Sequence, residues 1–373
     1  MNDFAIDRAE VFVVGPDVTR YTWAEGMASQ YMANIILRLT TRGGHQGIAG
    51  AAMITPHCFD TSVGESLRSM LPRVMGRSCH EREAVWYDIQ EHGTPMMPQA
   101  QSLIDIALWD MAAKAAGMPL WQFMGGARSK VAAYASTPLL HSHEGYIDYI
   151  TARREEGFGA IKFHCWCNPD LDLPMCEAVR AHFGPDLALM LDVEQRYDLR
   201  SALKVGKRVG ELGFEWFEAP LIDTNLEGYR ILKRETGVPV IPAGNTWVDL
   251  QQLGQAVRLD CWSMLRVDAT ICGGFTPLRK IMGLAEAYGM DVEIQCWGYT
   301  LTQAANLQAM LAFRNCRYFE QPSPYEAFEH AALDVIRTQR DGCVHAPPGP
   351  GLGIGIDWAE VERSSLLQYE VRA

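Results

Sequence analysis

The sequence predicts a parallel α/β barrel. Eight short apolar runs alternate with helix-patterned segments between residues 131 and 322, the pattern of repeated βα units. Polar residues stand at the ends of those runs at near-regular intervals, as a barrel's functional rim requires. A doubly wound open sheet is the competing architecture. No GxGxxG follows an early strand, and eight evenly spaced units favour closure.

The runs are VAAYAST (131–137), AIKFHCW (160–166), LALMLDV (187–193), FEWFEAP (214–220), PVIPAGN (239–245), CWSMLRVD (261–268), DVEIQCW (291–297) and CRYFEQP (316–322). Segments such as LRSALKVGKRVGEL (199–212) and FTPLRKIMGLAEAYG (275–289) carry helical spacing between them. Within AIKFHCW, Lys162 and His164 sit two apart and share one face of a strand. Burying such groups unpaired is costly, so their place on an inner face calls for a function. Asp192, Glu218, Asn245, Asp268, Gln295 and Glu320 then recur every 23 to 27 residues, about one βα unit each. Six polar side chains in register at successive strand ends form a ring at one end of the barrel, where such folds carry their active sites.

Composition narrows the partners. A chain of 373 residues implies two domains or one large domain with an accessory layer. A formal charge of −12 argues against nucleic acid or an anionic membrane as partner, and no apolar run approaches the roughly 20 residues of a spanning helix. The start, MNDFAIDRAEVFVV, lacks the basic region of a signal peptide. Ten cysteines show no CxxC pair. The expectation is a cytoplasmic protein whose thiols are reduced and mostly act as small core residues.

SLIDIALWDMAAKAAGMPLWQFMGG (102–126), IKFH, MLDVEQ, FEAPL, VIPAGN, RVDATICGGFTPLRKI and PPGPGLGIGID resemble, in order, motifs of the enolase superfamily, mandelate racemase/muconate lactonizing subgroup. The resemblance spans nearly the whole chain. It implies a modified TIM barrel, (β/α)7β, over 128–344, and an N-terminal α+β capping domain over 1–127 completed by the tail from about 345 to 373. It also implies Mg2+-assisted removal of the proton alpha to a carboxylate, giving a metal-stabilised enolate. One Mg2+ per subunit is expected, with Mn2+ as a substitute, in a homo-oligomer of two to eight subunits acting on a small-molecule carboxylate.

The chemistry explains the ring. A carboxylate's alpha proton is weakly acidic and its removal makes a dianion, whose charge a divalent ion offsets directly. Oxygen ligands from successive strands suit Mg2+. A base with a pKa near the working pH takes the proton. The resemblance implies Asp192, Glu218 and Asn245 as metal ligands. It makes His164 the base, with Lys162 an electrostatic partner that lowers the imidazole pKa; the reversed roles remain open. Glu320 is expected to hydrogen-bond the substrate carboxylate in its protonated form.

Two positions depart from the family. An acid normally stands where Asn245 is, so the ligand set carries two negative charges, weakening metal binding and leaving the metal more electron-withdrawing. Racemases of the subgroup pair a strand-six Asp with a strand-seven His; Asp268 is present, but Gln295 replaces the His and cannot carry a proton. Two-base racemisation thereby loses a base. Dehydration of a hydroxy acid or sugar acid is favoured, followed by lactone cycloisomerisation or one-base epimerisation. Two rivals remain: a non-catalytic barrel, and a lyase using Lys162 as a Schiff base. Segments 15–27 and 51–59 correspond by resemblance to a lid and its companion, with Arg20, Tyr21, Trp23 and His57 as substrate contacts. PPGPGLGIGID, rich in Pro and without a following Lys-Ser/Thr, reads as a structural turn.

Overall fold

The computed structural model describes residues 3–15, 20–55, 61–93 and 96–373. The chain begins with an antiparallel sheet of β1 (Ile6–Val14), β2 (Arg20–Tyr21), β3 (Gln30–Thr41) and β4 (Gln46–Thr55). Helices Ser62–Met70, Arg82–His92 and Pro98–Ala115 follow. Then come the parallel strands β5 (Lys130–Ser136), β6 (Ala160–His164), β7 (Ala188–Asp192), β8 (Trp216–Glu218), β9 (Val240–Ile241), β10 (Leu265–Val267), β11 (Val292–Ile294) and β12 (Tyr318–Pro322). Strand β13 (Cys343–His345) adds antiparallel to β5, and β14 (Ser365–Arg372) pairs antiparallel with β1, so the last strand closes the first sheet.

Seven of the eight parallel strands fall inside the apolar runs of the sequence, and β5 begins one residue before its run; most are shorter than the runs. The run 239–245 supplies only the two-residue β9, because its C-terminal polar end leaves the ladder to enter the rim. Parallel pairing runs β5 to β9 in order, returns from β12 to β5, and joins β10 to β11. Hydrogen bonds span the two seams: Ser263 N to Val240 O at 2.8 Å and Val240 N to Ser263 Oγ at 3.0 Å across one, and Val292 N to Asn315 O at 2.7 Å across the other. The architecture is the modified TIM barrel with an α+β cap. Side chains at alternate positions point inward. Tyr134, Ala160, Met190, Trp216 and Ile241 cluster as an apolar floor, and the next inward positions carry Lys162, Asp192 and Glu218.

Helix Pro98–Ala115 is buried along most of its length, which a helix apolar on nearly every side demands. Its few polar groups tie the layers together. Asp105 accepts from Thr276 N (2.9 Å) and Thr276 Oγ1 (2.5 Å), at the start of helix Phe275–Ala287, where backbone N–H groups favour an anion. Gly274, at φ 96°, has no alternative there: a Cβ would lie 2.4 Å from Asp105 Oδ2. Asp110 accepts from Ile48 N (2.8 Å), Leu352 N (2.7 Å) and Lys114 Nζ (2.7 Å). The glycine-rich segment near the C-terminus is thus a structural turn seated on this helix. Among the described residues no helix is long and apolar enough to cross a membrane, and the nine described cysteines are unpaired.

Candidate active site

A cavity of about 470 Å³ opens at the C-terminal ends of the barrel strands. Lys162, His164, Asp192, Asn245, Arg266 and Gln295 line its barrel side, and Trp23, Met27, Met53 and Ile54 close it from the first sheet. Trp23 stacks edge-on against Trp297, with ring centroids 5.3 Å apart. Arg20 and Tyr21 lie on β2, whose side chains are not described, and His57 lies outside the described residues.

Lys162 is completely buried and is the hub of the ring. Its Nζ lies 2.6 Å from Glu320 Oε1, 2.7 Å from Glu218 Oε1 and 3.6 Å from Asp192 Oδ2. Arg266, inward-facing two residues before Asp268 on the same strand face, pairs with Glu218 and sits 3.6 Å from Glu320 Oε2. Gly244, at φ 73°, permits this: a Cβ there would meet Arg266 Cγ at 2.9 Å. Trp216 Nε1 donates to the other Glu218 oxygen at 2.9 Å. Neither Glu218 nor Glu320 reaches the cavity lining. Burial disfavours the Glu320 carboxylate, but Lys162 and Arg266 outweigh that and hold its pKa below the ordinary value. The expected protonated Glu320 is therefore corrected: it is a paired carboxylate.

His164 differs from expectation as well. Its Nδ1 lies 2.5 Å from Thr137 O. A carbonyl only accepts, so Nδ1 carries a proton and Nε2 is the nitrogen turned to the cavity. Nε2 lies 3.4 Å from Asp192 Oδ2 and 3.5 Å from Glu194 Oε1. Burial works against imidazolium, yet hydrogen bonds to Asp192 and Glu194 prevail and push the pKa up to about 9. The lowering expected from Lys162 is the smaller effect, because the two carboxylates are the groups Nε2 meets. Asp192 is correspondingly held well below the usual carboxylate range: burial raises it, but His164 and Lys162 dominate.

Asp268 is withdrawn from the cavity. Its Oδ1 accepts from Thr270 N (2.7 Å), Thr270 Oγ1 (2.8 Å) and Asn306 Nδ2 (2.8 Å), and burial raises its pKa to about 6 despite those bonds. The two family departures meet: Gln295 Nε2 lies 3.5 Å from Asn245 Oδ1, a long contact between neutral amides.

The donors near the cavity fit a divalent cation. His164, Asp192 and Glu194 offer ligand atoms within 4.8 Å of one another, whereas Glu218 is engaged by Lys162, Arg266 and Trp216. Arg266 and Glu194 carried no assigned role in the sequence. The period of two that linked Lys162 with His164 also links Arg266 with Asp268 and would have found the former. Nothing local signals that Glu194 turns inward.

Below the ring, Glu293 accepts from Tyr134 OH at 2.7 Å. Burial pushes its pKa up to about 8, with Tyr134, Arg266 and Lys162 opposing and Glu320 assisting. The fold thus favours protonated Glu293. That contribution is complete below the ordinary value of 4.5 and is lost as the pH rises through about 8. E293Q is expected to flatten stability across this window, by a few kcal/mol in urea unfolding, and to exceed the parent protein above it.

Comparison with known proteins is consistent along the chain. Residues 8–125 match the model of the mandelate racemase/muconate lactonizing enzyme N-terminal domain, and 146–361 match the enolase C-terminal domain-like model. D-galactarolactone cycloisomerase of Agrobacterium fabrum (strain C58) is 31% identical over 285 residues, 73% of this chain and 74% of that protein. A Pseudovibrio sp. structure assigned to the mandelate racemase/muconate lactonizing enzymes superposes with a TM-score of 0.95 at 38% identity, covering 100% of both chains. D-glucarate dehydratase from Agrobacterium tumefaciens, complexed with magnesium, superposes at 0.87 and 26% identity, over 98% of this chain and 100% of that one. On both domain models and the whole-chain superposition, the protein belongs to the enolase superfamily, in its mandelate racemase/muconate lactonizing enzyme group.

Proposed function

We propose that this protein is a Mg2+-dependent lyase that removes the proton alpha to the carboxylate of a hydroxy acid or sugar acid and eliminates water. The observation that carries this is His164. Its Nδ1–H is committed to Thr137 O, and Nε2 faces the cavity beside Asp192. Asp192, Glu218 and Asn245, at the ends of successive strands, would hold the ion, and Asp192 and Asn245 line the cavity. When bound, the ion supplies Lewis-acid charge to the substrate carboxylate. With a cation held at Asp192, that carboxylate would no longer hold a proton on His164, and Nε2 would be able to accept one. Lys162 provides positive charge beside the reacting carboxylate. His164 takes the alpha hydrogen and returns a proton to the departing beta hydroxyl on the same face, so that one water leaves and atoms balance. Gln295 offers no second base, and Asp268 is committed to Thr270 and Asn306, which supports a one-base course. Glu218 and Glu320 fix Lys162. Trp23 supplies an apolar wall, with Arg20, Tyr21 and His57 as further substrate contacts. Lys162 Nζ is ion-paired with Glu218 and Glu320 at 2.7 and 2.6 Å, which holds it as the ammonium rather than the free amine a Schiff base needs and disfavours that alternative.

Cycloisomerisation of an acid-sugar lactone is the second reading, favoured by the 31% identity to D-galactarolactone cycloisomerase. It uses the same proton abstraction. The capping domain over 1–127 with the tail from about 345, the barrel over 128–344, a cytoplasmic location and a homo-oligomer belong to the same proposal.

Titration calorimetry of metal-stripped protein with Mg2+ tests it, D192A serving as control. Binding that the control abolishes is the expected result. A panel of sugar acids in D2O then separates the chemistries by mass spectrometry: loss of one water identifies a dehydratase. Unchanged composition with deuterium at the alpha carbon identifies an isomerase. Absence of binding even with the acids present would overturn the proposal in favour of a non-catalytic barrel.

A further inference from the structure

We infer that the acid turned over here is a monocarboxylate that ends, away from the reacting carbon, in an apolar group, and that Gln99 accepts a hydrogen bond from a hydroxyl between the two. This rests on the metal-dependent reading above and names the substrate class of that site.

The cavity is divided by chemistry. Lys162, His164, Asp192 and Asn245 stand on its barrel side, where the carboxylate and alpha carbon belong. The opposite side is apolar: Trp23, Met27, Met53, Ile54 and Met97 come from the cap, and Trp297 from the end of the seventh barrel run. Among the described residues, no charged side chain from the cap reaches the lining. A second carboxylate carried to that side would give up its hydration without a counter-charge, which is costly.

The apolar side is also fixed in position. Trp297 Nε1 donates to Ser136 Oγ at 3.0 Å, which orients the indole. Its ring lies 6.0 Å from that of His164, 5.3 Å from that of Trp23 and 5.2 Å from that of Phe328, each contact edge-on. Met27 and Ile54 pack on the same cluster. This aromatic path starts at the base and ends in the cap, so a substrate with its alpha carbon at His164 lays its remaining carbons along it. A methyl or aryl group gains by leaving water there. A hydroxymethyl group loses its water partners against the same surface.

One polar group interrupts the wall. Gln99, the second residue of helix Pro98–Ala115, lines the cavity, and its Oε1 is buried without a hydrogen-bond partner. Gln30, the other polar residue that the described cap contributes to the lining, already donates Nε2 to Ala28 O at 2.6 Å. Gln99 Oε1 calls for a donor. An ionised carboxylate offers only acceptors, whereas a hydroxyl supplies the proton.

Calorimetry of the Mg2+-loaded full chain with acids that differ only at the far end decides it. L-Fuconate, L-galactonate and galactarate end in methyl, hydroxymethyl and carboxylate on one carbon frame; L-rhamnonate, L-mannonate and L-mannarate do so on another. The expected result is a methyl-ended acid bound at least about tenfold more tightly than its hydroxymethyl counterpart, within the reach of an apolar pocket, with the diacid weaker still. Q99L should weaken the preferred acid by about tenfold, while Mg2+ affinity and circular dichroism stay unchanged; a merely structural role would move those as well. Equal or reversed preference would overturn the inference, and a preferred diacid would give its far carboxylate to Arg20 or His57. Wild-type affinity in Q99L would remove Gln99 from it. Binding of none of these acids by protein that holds Mg2+ would overturn the inference and leave the metal-dependent reading intact. Failure to bind Mg2+ at all would overturn both.

Discussion

Replacing Lys162 with methionine is expected to destabilise the protein by about 3–5 kcal/mol, the range for removing one partner of a buried ion pair. Lys162 is wholly enclosed and meets Glu218 and Glu320 at 2.7 and 2.6 Å, with Asp192 at 3.6 Å. Methionine matches its length but not its charge, leaving Arg266 as the remaining cation between Glu218 and Glu320. Stranded carboxylates recover by taking up protons, so the deficit should shrink as the pH falls toward 5. Urea unfolding at pH 5 and pH 8 measures this. A double mutant with E320Q should lose less than the sum of the single losses, because the second change removes a charge that the first left unpaired. An additive result, or a loss independent of pH, would show that the ring does not depend on Lys162 for charge balance.

Replacing His164 with glutamine is expected to lower turnover by about 10²–10⁴-fold, the usual contribution of a general base, with substrate binding largely kept. Glutamine can still donate to Thr137 O, but its amide oxygen cannot take the alpha proton. Exchange of the alpha hydrogen for deuterium in substrate recovered from D2O separates the roles, because it reports enolate formation that is reversed before water is lost. Uptake unchanged in H164Q but absent in a Lys162 variant that remains folded would assign the base to Lys162, the reversed arrangement.

The eight strands, their order and the rim residues Lys162, His164, Asp192, Asn245 and Gln295 were legible in the sequence because their signals are local. Alternation of side chains has a period of two, and each βα unit repeats every 23 to 27 residues. The superfamily was legible for the same reason, its motifs being short and in order. What the side chains do there was not. Glu218 is taken up by an arginine 48 positions away. Asp268 is held by Asn306, 38 positions away, and drawn out of the cavity. His164 is raised rather than lowered in pKa because its open nitrogen faces Asp192 and Glu194 and not Lys162. Glu194 enters the site only through a left-handed turn braced against β8 and Asp192. Position along a strand decides which face a residue occupies; which partner each charge finds depends on groups that only the closed barrel brings within a few ångströms. The sequence alone thus determined the barrel and most of its rim, and the tertiary structure decided how the charges pair, because Coulomb and hydrogen-bond energies depend on distances that local pattern does not contain.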